Sequence, residues 1–146
     1  MRQNLSIGEA ARESGVKVPT IRYYEQIGLL PEPPRTEGNR RLYDDGHLSR
    51  LAFIRHAREL GFELDAIRTL LDLQDNPGQS CSPADSIARV RLGEVDRRIA
   101  RLTALKDELQ RMIDGCSHGT VADCRVIEVL TEPLGAAGSG NPSVGG

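Results

Sequence analysis

Residues 6–28 read SIGEAARESGVKVPTIRYYEQIG, and this stretch decides the fold. Ser6, with a glutamate three residues later, is the capping-box signature of a helix start, and Gly15 ends that first helix. Pro19 suits the first turn of a second helix, which Gly28 ends. Two short helices separated by a glycine-containing turn match the helix-turn-helix plan, although such pairs also occur in proteins that never touch DNA.

A short basic hairpin is predicted directly after the second helix. Residues 31–38 contain three prolines and one glycine, which exclude a helix. We expect residues 28–30 to pair with residues 40–43 as two short strands. The tip and the far strand carry three arginines, which are Arg35, Arg40 and Arg41. A basic hairpin in this position is typical of the wing of a winged helix-turn-helix domain.

Three more helices are predicted after the hairpin. Asp44 or Asp45 can cap a third helix that runs through Leu60. A fourth helix covers about residues 65–75, and a long fifth helix covers about residues 83–113. The chain is therefore predicted to be mainly α-helical.

The long helix carries an apolar stripe of the coiled-coil type. Its apolar residues alternate steps of four and three with one gap, at which Lys106 lies. They are Ala88, Leu92, Val95, Ile99, Leu102, Leu109 and Ile113. The stripe favours a coiled coil. The alternative is an amphipathic helix that packs against the rest of its own chain. Because about thirty helical residues span about 45 Å, more than so small a core can cover, we expect pairing between two copies.

Composition and charge argue against a compact enzyme. Only 38% of the residues are hydrophobic and 3% are aromatic, which leaves little material for a deep small-molecule pocket. The net charge of −2 conceals a basic front and an acidic back, because residues 1–58 carry +3 and residues 59–146 carry −5. His47 and His56 are predicted on the solvated side of the third helix, and no nucleophile–base pair or phosphate-binding glycine loop is apparent.

The sequence contains no transport or membrane signal. No apolar run approaches the roughly 18 residues that a membrane span needs. Residues 1–4 lack the basic and apolar start of a secretory signal. We therefore expect a cytoplasmic protein with no membrane partner and with reduced cysteines, which are then candidates for metal binding or redox chemistry.

The three cysteines lie at opposite ends of the long helix. Seven residues separate Cys116 from Cys124, which makes a loop wide enough to wrap an ion. Cys81 lies about 50 Å from Cys116 along the helix axis, so it cannot reach that loop within one chain. In an antiparallel coiled-coil dimer, Cys81 of one copy falls beside the loop of the other copy. Two sites of three thiolates result.

The number of thiolates bears on the kind of ion. Two thiolates alone favour a soft monovalent ion such as Cu(I), whereas a third suits Cd(II), Pb(II), Zn(II) or Hg(II). His118 is a candidate fourth ligand. Two alternatives stay open: a Cu(I) site that uses only Cys116 and Cys124, and a redox switch in which these two cysteines form a disulfide.

Several motifs, in the right order, resemble one family of transcriptional regulators. Residues 20–30, TIRYYEQIGLL, closely resemble the recognition helix and following turn of the MerR family. NRRLY at residues 39–43 is similar to that family's wing, and HARELGFEL at residues 56–64 to its junction of third and fourth helices. The long helix and the cysteine loop after it resemble the metal-sensing branch. The resemblance covers about residues 5–132.

The resemblance implies a division of the chain. A winged helix-turn-helix DNA-binding domain with its connecting helices would occupy residues 1–75, and residues 82–114 would form an antiparallel coiled-coil dimerisation helix. Residues 115–132 would form a metal-binding loop and a short helix. The composition of residues 133–146 predicts a disordered tail.

The resemblance also implies how the family acts on DNA. Arg22 and Tyr23 would enter the major groove or grip its flanking phosphates, while Arg41 and Tyr43 would hold the backbone from the wing. Lys17 and Thr20 would assist, and Arg40 of the wing is also expected to bind DNA. A homodimer would sit on promoter DNA, and metal binding would underwind and bend that DNA so that RNA polymerase can engage it.

Within the metal-sensing branch, the residue at the start of the dimerisation helix indicates the class of ion. The resemblance implies that a cysteine there, as at Cys81, marks sensors of divalent ions. The seven-residue loop, however, has the length of copper-type sensors, and residue 117 is Ser where some zinc sensors have a second cysteine. A divalent ion is therefore expected, with Cd(II), Pb(II), Zn(II) and Hg(II) all open.

Overall fold

The computed structural model describes residues 4–116 and 118–133, and it is mainly α-helical, as predicted. The tail predicted at residues 133–146 lies outside the described residues except for Pro133. The helices are α1 (Ile7–Ser14), α2 (Val18–Gln26), α3 (Asp45–Glu59), α4 (Leu64–Gln74), α5 (Ser82–Asp114) and α6 (Arg125–Thr131). A single 3-10 turn, Val121–Asp123, precedes α6. The chain divides within α5 into two compact units, Met1–Leu92 and Gly93–Gly146. The finer domain boundaries expected from the sequence stay predictions.

The predicted helix boundaries in the first unit follow from local capping chemistry. Ser6 Oγ accepts the Glu9 N–H at 3.1 Å, and Glu9 Oε1 accepts the Ser6 N–H at 2.9 Å, so both halves of the capping box form. Gly15 ends α1 with a φ of 75°, a conformation that glycine adopts without strain. Asp44 caps α3 in the same reciprocal way with His47. The prediction that His47 is solvated is therefore wrong, because its side chain is only 12% exposed.

A single apolar core holds the first unit together. Helices α1, α2, α3 and α4 contribute to it, along with the segments that join them, and α1 packs on both α2 and α3. The largest fully buried side chains are Tyr43, Ile21, Leu29, Leu30, Leu51, Ile54, Ile67 and Leu71. One face of α2 is buried in this core, so its opposite face is exposed and can make contacts outside the unit.

The strand pairing predicted for the hairpin is wrong. Tyr43 pairs with Leu5 instead, through two backbone hydrogen bonds of 2.9 Å, and Arg41 pairs with Arg35. Residues 29 and 30 are unavailable because their N–H groups donate to the carbonyl of Tyr24 and close the end of α2. The wing is therefore a tight hairpin over residues 34–43, in which the N-terminal segment supplies the partner for the last residue, Tyr43.

Arginines cover the C-terminal ends of two helices in this unit. Arg91 Nε donates to the carbonyl of Leu60 at 2.8 Å, where Gly61 leaves α3 with a φ of 88°. Arg55 lies against Gly15 at the end of α1 in a similar way. A cation at a helix C-terminus complements the partial negative charge of the last carbonyl groups. Several arginines of the first unit therefore have structural partners.

Truncating a core side chain tests this packing. We expect Leu51→Ala to lower the free energy of unfolding by about 2–5 kcal/mol, because Leu51 is fully buried and the lost methyl groups leave a cavity. Leu60→Ala is the matched control, since Leu60 is 55% exposed, and it should change stability by well under half as much. Urea unfolding followed by circular dichroism measures both. Equal losses would contradict the core as described.

The second unit contains the rest of α5, the 3-10 turn and α6. The 3-10 turn packs against α6. In this part of α5, five large apolar side chains are more than half exposed, and they are Ile99, Leu102, Leu105, Leu109 and Ile113. This exposed apolar stripe is consistent with the predicted coiled coil. Within the described ranges, no helix combines the length and the apolar character that a membrane crossing requires.

Candidate nucleic-acid interface and metal-binding loop

The exposed face of α2 presents the side chains that the sequence assigns to DNA. Arg22 is exposed and makes no side-chain hydrogen bond or ion pair with any residue that the structure describes. Tyr23 is 47% exposed, and its ring lies 6.2 Å from that of Tyr24, centroid to centroid. Lys17 is exposed at the start of α2 and Thr20 is half-buried one turn later. A cation, a phenol and a hydroxyl therefore share one helix surface, which suits contacts to phosphate and base edges.

The wing presents a second basic surface. Its turn closes through the Asn39 N–H, which donates to the Thr36 carbonyl at 2.8 Å, and Asn39 takes a φ of 65°. Arg40 is exposed, whereas its neighbour Arg41 is partly buried. Arg35 Nη1 donates to the Asn39 carbonyl at 3.3 Å and so stiffens the tip. The wing therefore offers Arg40 freely and holds Arg41 against the domain.

A buried carboxylate links α2 to the wing. The side chain of Glu25, near the end of α2, is only 4% exposed. Its Oε1 accepts from Arg41 Nε at 2.9 Å, and its Oε2 accepts from the hydroxyl of Tyr43. One buried anion is thus matched by one cation and one hydroxyl donor, which is the arrangement a buried charge requires.

Tyr43, which the resemblance assigns to the DNA-contacting surface, is a core residue in this structure. Its side chain is fully buried. Burial raises the pKa of Tyr43, and the hydrogen bond to Glu25 raises it further, so the hydroxyl stays protonated and donates. A direct contact between Tyr43 and DNA stays a prediction, and it would require the hydroxyl to leave Glu25.

Glu25 is the residue that sequence reasoning missed. A signal was available, because Glu25 lies four residues after the buried Ile21 and one after the buried Tyr24, on the apolar face of α2. A carboxylate on an apolar face is rarely left without a partner. That spacing predicts a buried ion pair, although it does not say which cation completes it.

The loop after α5 brings two thiols near each other. Cys116 and Cys124 are both partly buried, and the Cys116 thiol is near enough to Cys124 to lower the pKa of Cys124. The backbone N–H of Ile127 lowers the pKa of Cys124 most. The backbone N–H of Val126 and the thiol of Cys116 lower it further. Amides that face a sulfur favour its thiolate, which is the form that binds soft metal ions.

The loop is closed by contact between its two ends. The side chain of Arg125, the first residue of α6, lies over Gly115, and a Cβ added at Gly115 would meet Arg125 Cγ at 3.1 Å. Gly115 itself continues the hydrogen bonding of α5 through its N–H, which donates to the Arg111 carbonyl at 3.0 Å. The chain therefore turns back directly after α5, and this turn brings Cys124 back toward Cys116.

The other two candidate ligands, Cys81 and His118, form no described cluster with this pair of thiols within one chain. Cys81 is exposed in the first unit, where its carbonyl accepts the Asp85 N–H at 3.1 Å at the start of α5. His118 is exposed, with a φ of 61°. Within residues 4–116 and 118–133 of a single chain, no three His, Cys, Asp or Glu side chains group as a metal site. A third thiolate from a second copy stays a prediction.

Comparisons with known proteins identify the family. Residues 5–74 match the family described as MerR HTH family regulatory protein, and residues 48–112 match the one described as MerR, DNA binding. The HTH-type transcriptional regulator ZntR of Escherichia coli K12 is 42% identical over 138 residues, which are 92% of this chain and 97% of that protein. The mercuric resistance operon regulatory protein of Pseudomonas fluorescens is 37% identical over 142 residues, 96% of each chain.

A solved structure agrees with the sequence relatives. The transcription regulator PbrR691 of Ralstonia metallidurans CH34, crystallised in complex with lead(II), superimposes with a TM-score of 0.73 at 39% sequence identity. The superposition covers 87% of this chain and 99% of that one. The matched share of this chain is larger than the first unit alone. The chain belongs to the MerR family of helix-turn-helix transcriptional regulators, and it is a DNA-binding regulator rather than an enzyme.

Proposed function

We propose that the chain is a homodimeric, metal-responsive activator that opens the promoter of a metal efflux or detoxification gene when a divalent soft ion binds. The observation that carries this proposal is the loop in which Cys116 and Cys124 meet, directly after the long helix. Similarity to a regulator crystallised with lead(II) and to a mercuric resistance regulator supports the same conclusion.

DNA binding is assigned to two surfaces of the first unit. Lys17, Thr20, Arg22 and Tyr23 on α2 would contact the major groove and its flanking phosphates, and Arg40 and Arg41 would hold the backbone from the wing. Phosphate contacts of this kind fix the position of the protein without reading sequence. Activation would then come from underwinding and bending of the promoter, which lets RNA polymerase engage it.

Dimerisation is assigned to the exposed apolar stripe of α5. More than half of each of these side chains is exposed in one chain, and a second copy of α5 would remove that surface from water. Lys106 interrupts the stripe, and in an antiparallel pair it can reach an acidic side chain of the other copy or extend into solvent. Residues 59–146, which include α5 and the cysteine loop, carry a net charge of −5, and this charge is compatible with holding a cation.

A charge placed in the stripe should dissociate the dimer. We expect Leu102→Glu to be monomeric at micromolar concentration, because pairing would replace apolar contacts by carboxylates that must lose their water. Ala104→Glu makes a similar change two residues away, on the opposite side of the heptad, and should leave the dimer intact. Sedimentation velocity distinguishes the two species. A dimeric Leu102→Glu protein would argue against α5 as the interface.

The metal site is assigned to three thiolates from two copies, Cys116 and Cys124 of one and Cys81 of the other. When bound, the ion supplies a positive charge that ties the thiolates together. A set of three thiolates suits Cd(II), Pb(II), Zn(II) or Hg(II), with His118 as a candidate fourth ligand. The alternative is a Cu(I) site of two thiolates, and it is favoured by the observation that Cys116 and Cys124 already meet within one chain.

Metal titration of the reduced dimer tests the proposal. We expect Cd(II), Pb(II) or Hg(II) to bind with two ions per dimer and to produce the ultraviolet thiolate-to-metal absorption of a three-sulfur site. Zn(II) is followed by competition with Cd(II). Saturation by Cu(I) with no response to any divalent ion would select the two-thiolate alternative. A response that needs only oxidant, with Cys116 and Cys124 disulfide-bonded, would select the redox alternative.

A further inference from the structure

The polar cluster of Glu25, Arg41 and Tyr43 joins the two surfaces that the proposed function assigns to DNA. Glu25 belongs to the recognition helix α2, whereas Arg41 and Tyr43 belong to the far strand of the wing. Arg41 and Tyr43 are two residues apart, so both side chains leave the strand on the same side. One buried carboxylate accepts from both of them.

The cluster leaves part of Arg41 available. Only Nε of Arg41 donates to Glu25, at 2.9 Å, and its two terminal nitrogens make no hydrogen bond to any residue that the structure describes. The side chain is 24% exposed, whereas that of Glu25 is 4% exposed. The guanidinium is therefore held by its inner edge while four N–H donors remain for another ligand.

The adjacent Arg40 lacks any such support. It is exposed, and its described hydrogen bonds are made by its backbone alone: its N–H donates to Thr36 Oγ1 at 3.1 Å, and its carbonyl accepts the Thr36 N–H at 2.8 Å. The two neighbouring arginines therefore differ in their support: the side chain of Arg40 is free of described partners, whereas that of Arg41 is held by Glu25 of α2. A held arginine loses less conformational freedom when it binds a phosphate, because its rotamer is already fixed.

We propose that Glu25 is a positioning residue that presets Arg41 for a phosphate contact by tying the wing to the recognition helix. This inference rests on the proposed function of the two surfaces in DNA binding. The wing and α2 then approach the duplex as one unit, and Glu25 supports binding without touching DNA.

Replacing the carboxylate by an amide tests the proposal. The probe is a duplex selected from random sequence by the parent protein, and the readout is the dissociation constant in a fluorescence-anisotropy titration. We expect Glu25→Gln to weaken binding by about 30-fold, because both wings of a dimer lose a fixed arginine. The direction is informative, since removing a negative charge from a DNA-binding surface by itself strengthens binding.

Two comparisons isolate the role of Glu25. Glu63→Gln makes the identical chemical change at an exposed position before α4, and it should bind no more weakly than the parent. The second comparison is made in an Arg41→Ala background, where Glu25→Gln should cause no further loss, because there is no arginine left to position. A purely structural role would cost the same factor in both backgrounds.

Thermal unfolding of every variant accompanies these titrations. If Glu25→Gln does not unfold cooperatively, Glu25→Asp takes its place, because it keeps the charge but falls one methylene short of Arg41; a loss of at least threefold is expected. Parent-like affinity of the folded variant overturns the proposal, and so does an equal loss with and without Arg41. If the parent selects no duplex, the proposed function fails together with this inference; if the parent binds and the variants behave alike, only the inference fails.

Discussion

We expect Cys81→Ser to lose its response to Cd(II), Pb(II), Zn(II) and Hg(II) while it still binds promoter DNA. In the proposed site Cys81 is the thiolate contributed by the other copy, so the serine removes one of three ligands. Losing a residue that only orients a metal ligand costs about 10- to 100-fold in affinity. Losing a ligand itself should cost more, and metal-dependent transcription in vitro should fall to the level seen without metal.

The same variant separates the alternatives. A Cu(I) regulator that uses only Cys116 and Cys124 would keep its response in Cys81→Ser, and a disulfide switch would barely change. Ser82→Ala alters the neighbouring position at the start of α5 and should respond to metal as the parent does. Full induction of Cys81→Ser by a divalent ion would show that the three-thiolate site is wrong.

The second large effect is expected at the recognition helix. Arg22→Ala should weaken promoter binding by at least about 100-fold, because a hydrogen bond to a charged group contributes about 1.5 kcal/mol or more and a dimer loses two. Arg22 is exposed and makes no side-chain hydrogen bond or ion pair within the described ranges, so its removal should leave the free energy of unfolding nearly unchanged. The loss should be equal with and without metal, since Arg22 is proposed to contact DNA in both states.

Arg89→Ala provides the control for the recognition helix. Arg89 is exposed on α5 and pairs with Asp85 of the same helix at 2.7 Å, a contact of small energetic value. Its removal should leave DNA affinity within about twofold of the parent. Gel-shift titrations at one salt concentration compare the three proteins. Unchanged affinity of Arg22→Ala would contradict the role assigned to α2.

The helices could be predicted because their signals are local. Ser6 and Glu9 satisfy each other across one turn, Gly15 and Gly61 take backbone angles that glycine adopts without strain, and each of these signals needs only its neighbours in sequence. The approach of Cys116 to Cys124 is nearly as local, because a short loop with a turn at Gly115 restricts where the second cysteine can be.

The wing pairing and the buried cluster could not be predicted because they depend on distant partners. Pairing of Tyr43 with Leu5 joins residues 38 positions apart, and the sequence offered a nearer candidate strand whose amides were already used to end α2. Tyr43 next to two arginines resembles a DNA contact, and only the packed structure shows Glu25 beneath it. The contribution of Cys81 depends on a second copy and stays a prediction.

The internal partners of the arginines limit how strongly salt should affect promoter binding. Residues 1–58 contain ten basic residues, but Arg50 bonds to Asp75 at 2.9 Å, Arg58 to the Phe62 carbonyl at 3.0 Å, and Arg55 lies over the end of α1. If three or four cations per chain meet phosphates, the counterions released by a dimer give a slope of log K against log salt of about −5 to −7. A count of the arginines alone would suggest a much steeper dependence of DNA affinity on salt. In this chain, several of the basic residues therefore stabilise the fold of the DNA-binding unit instead of contacting phosphates.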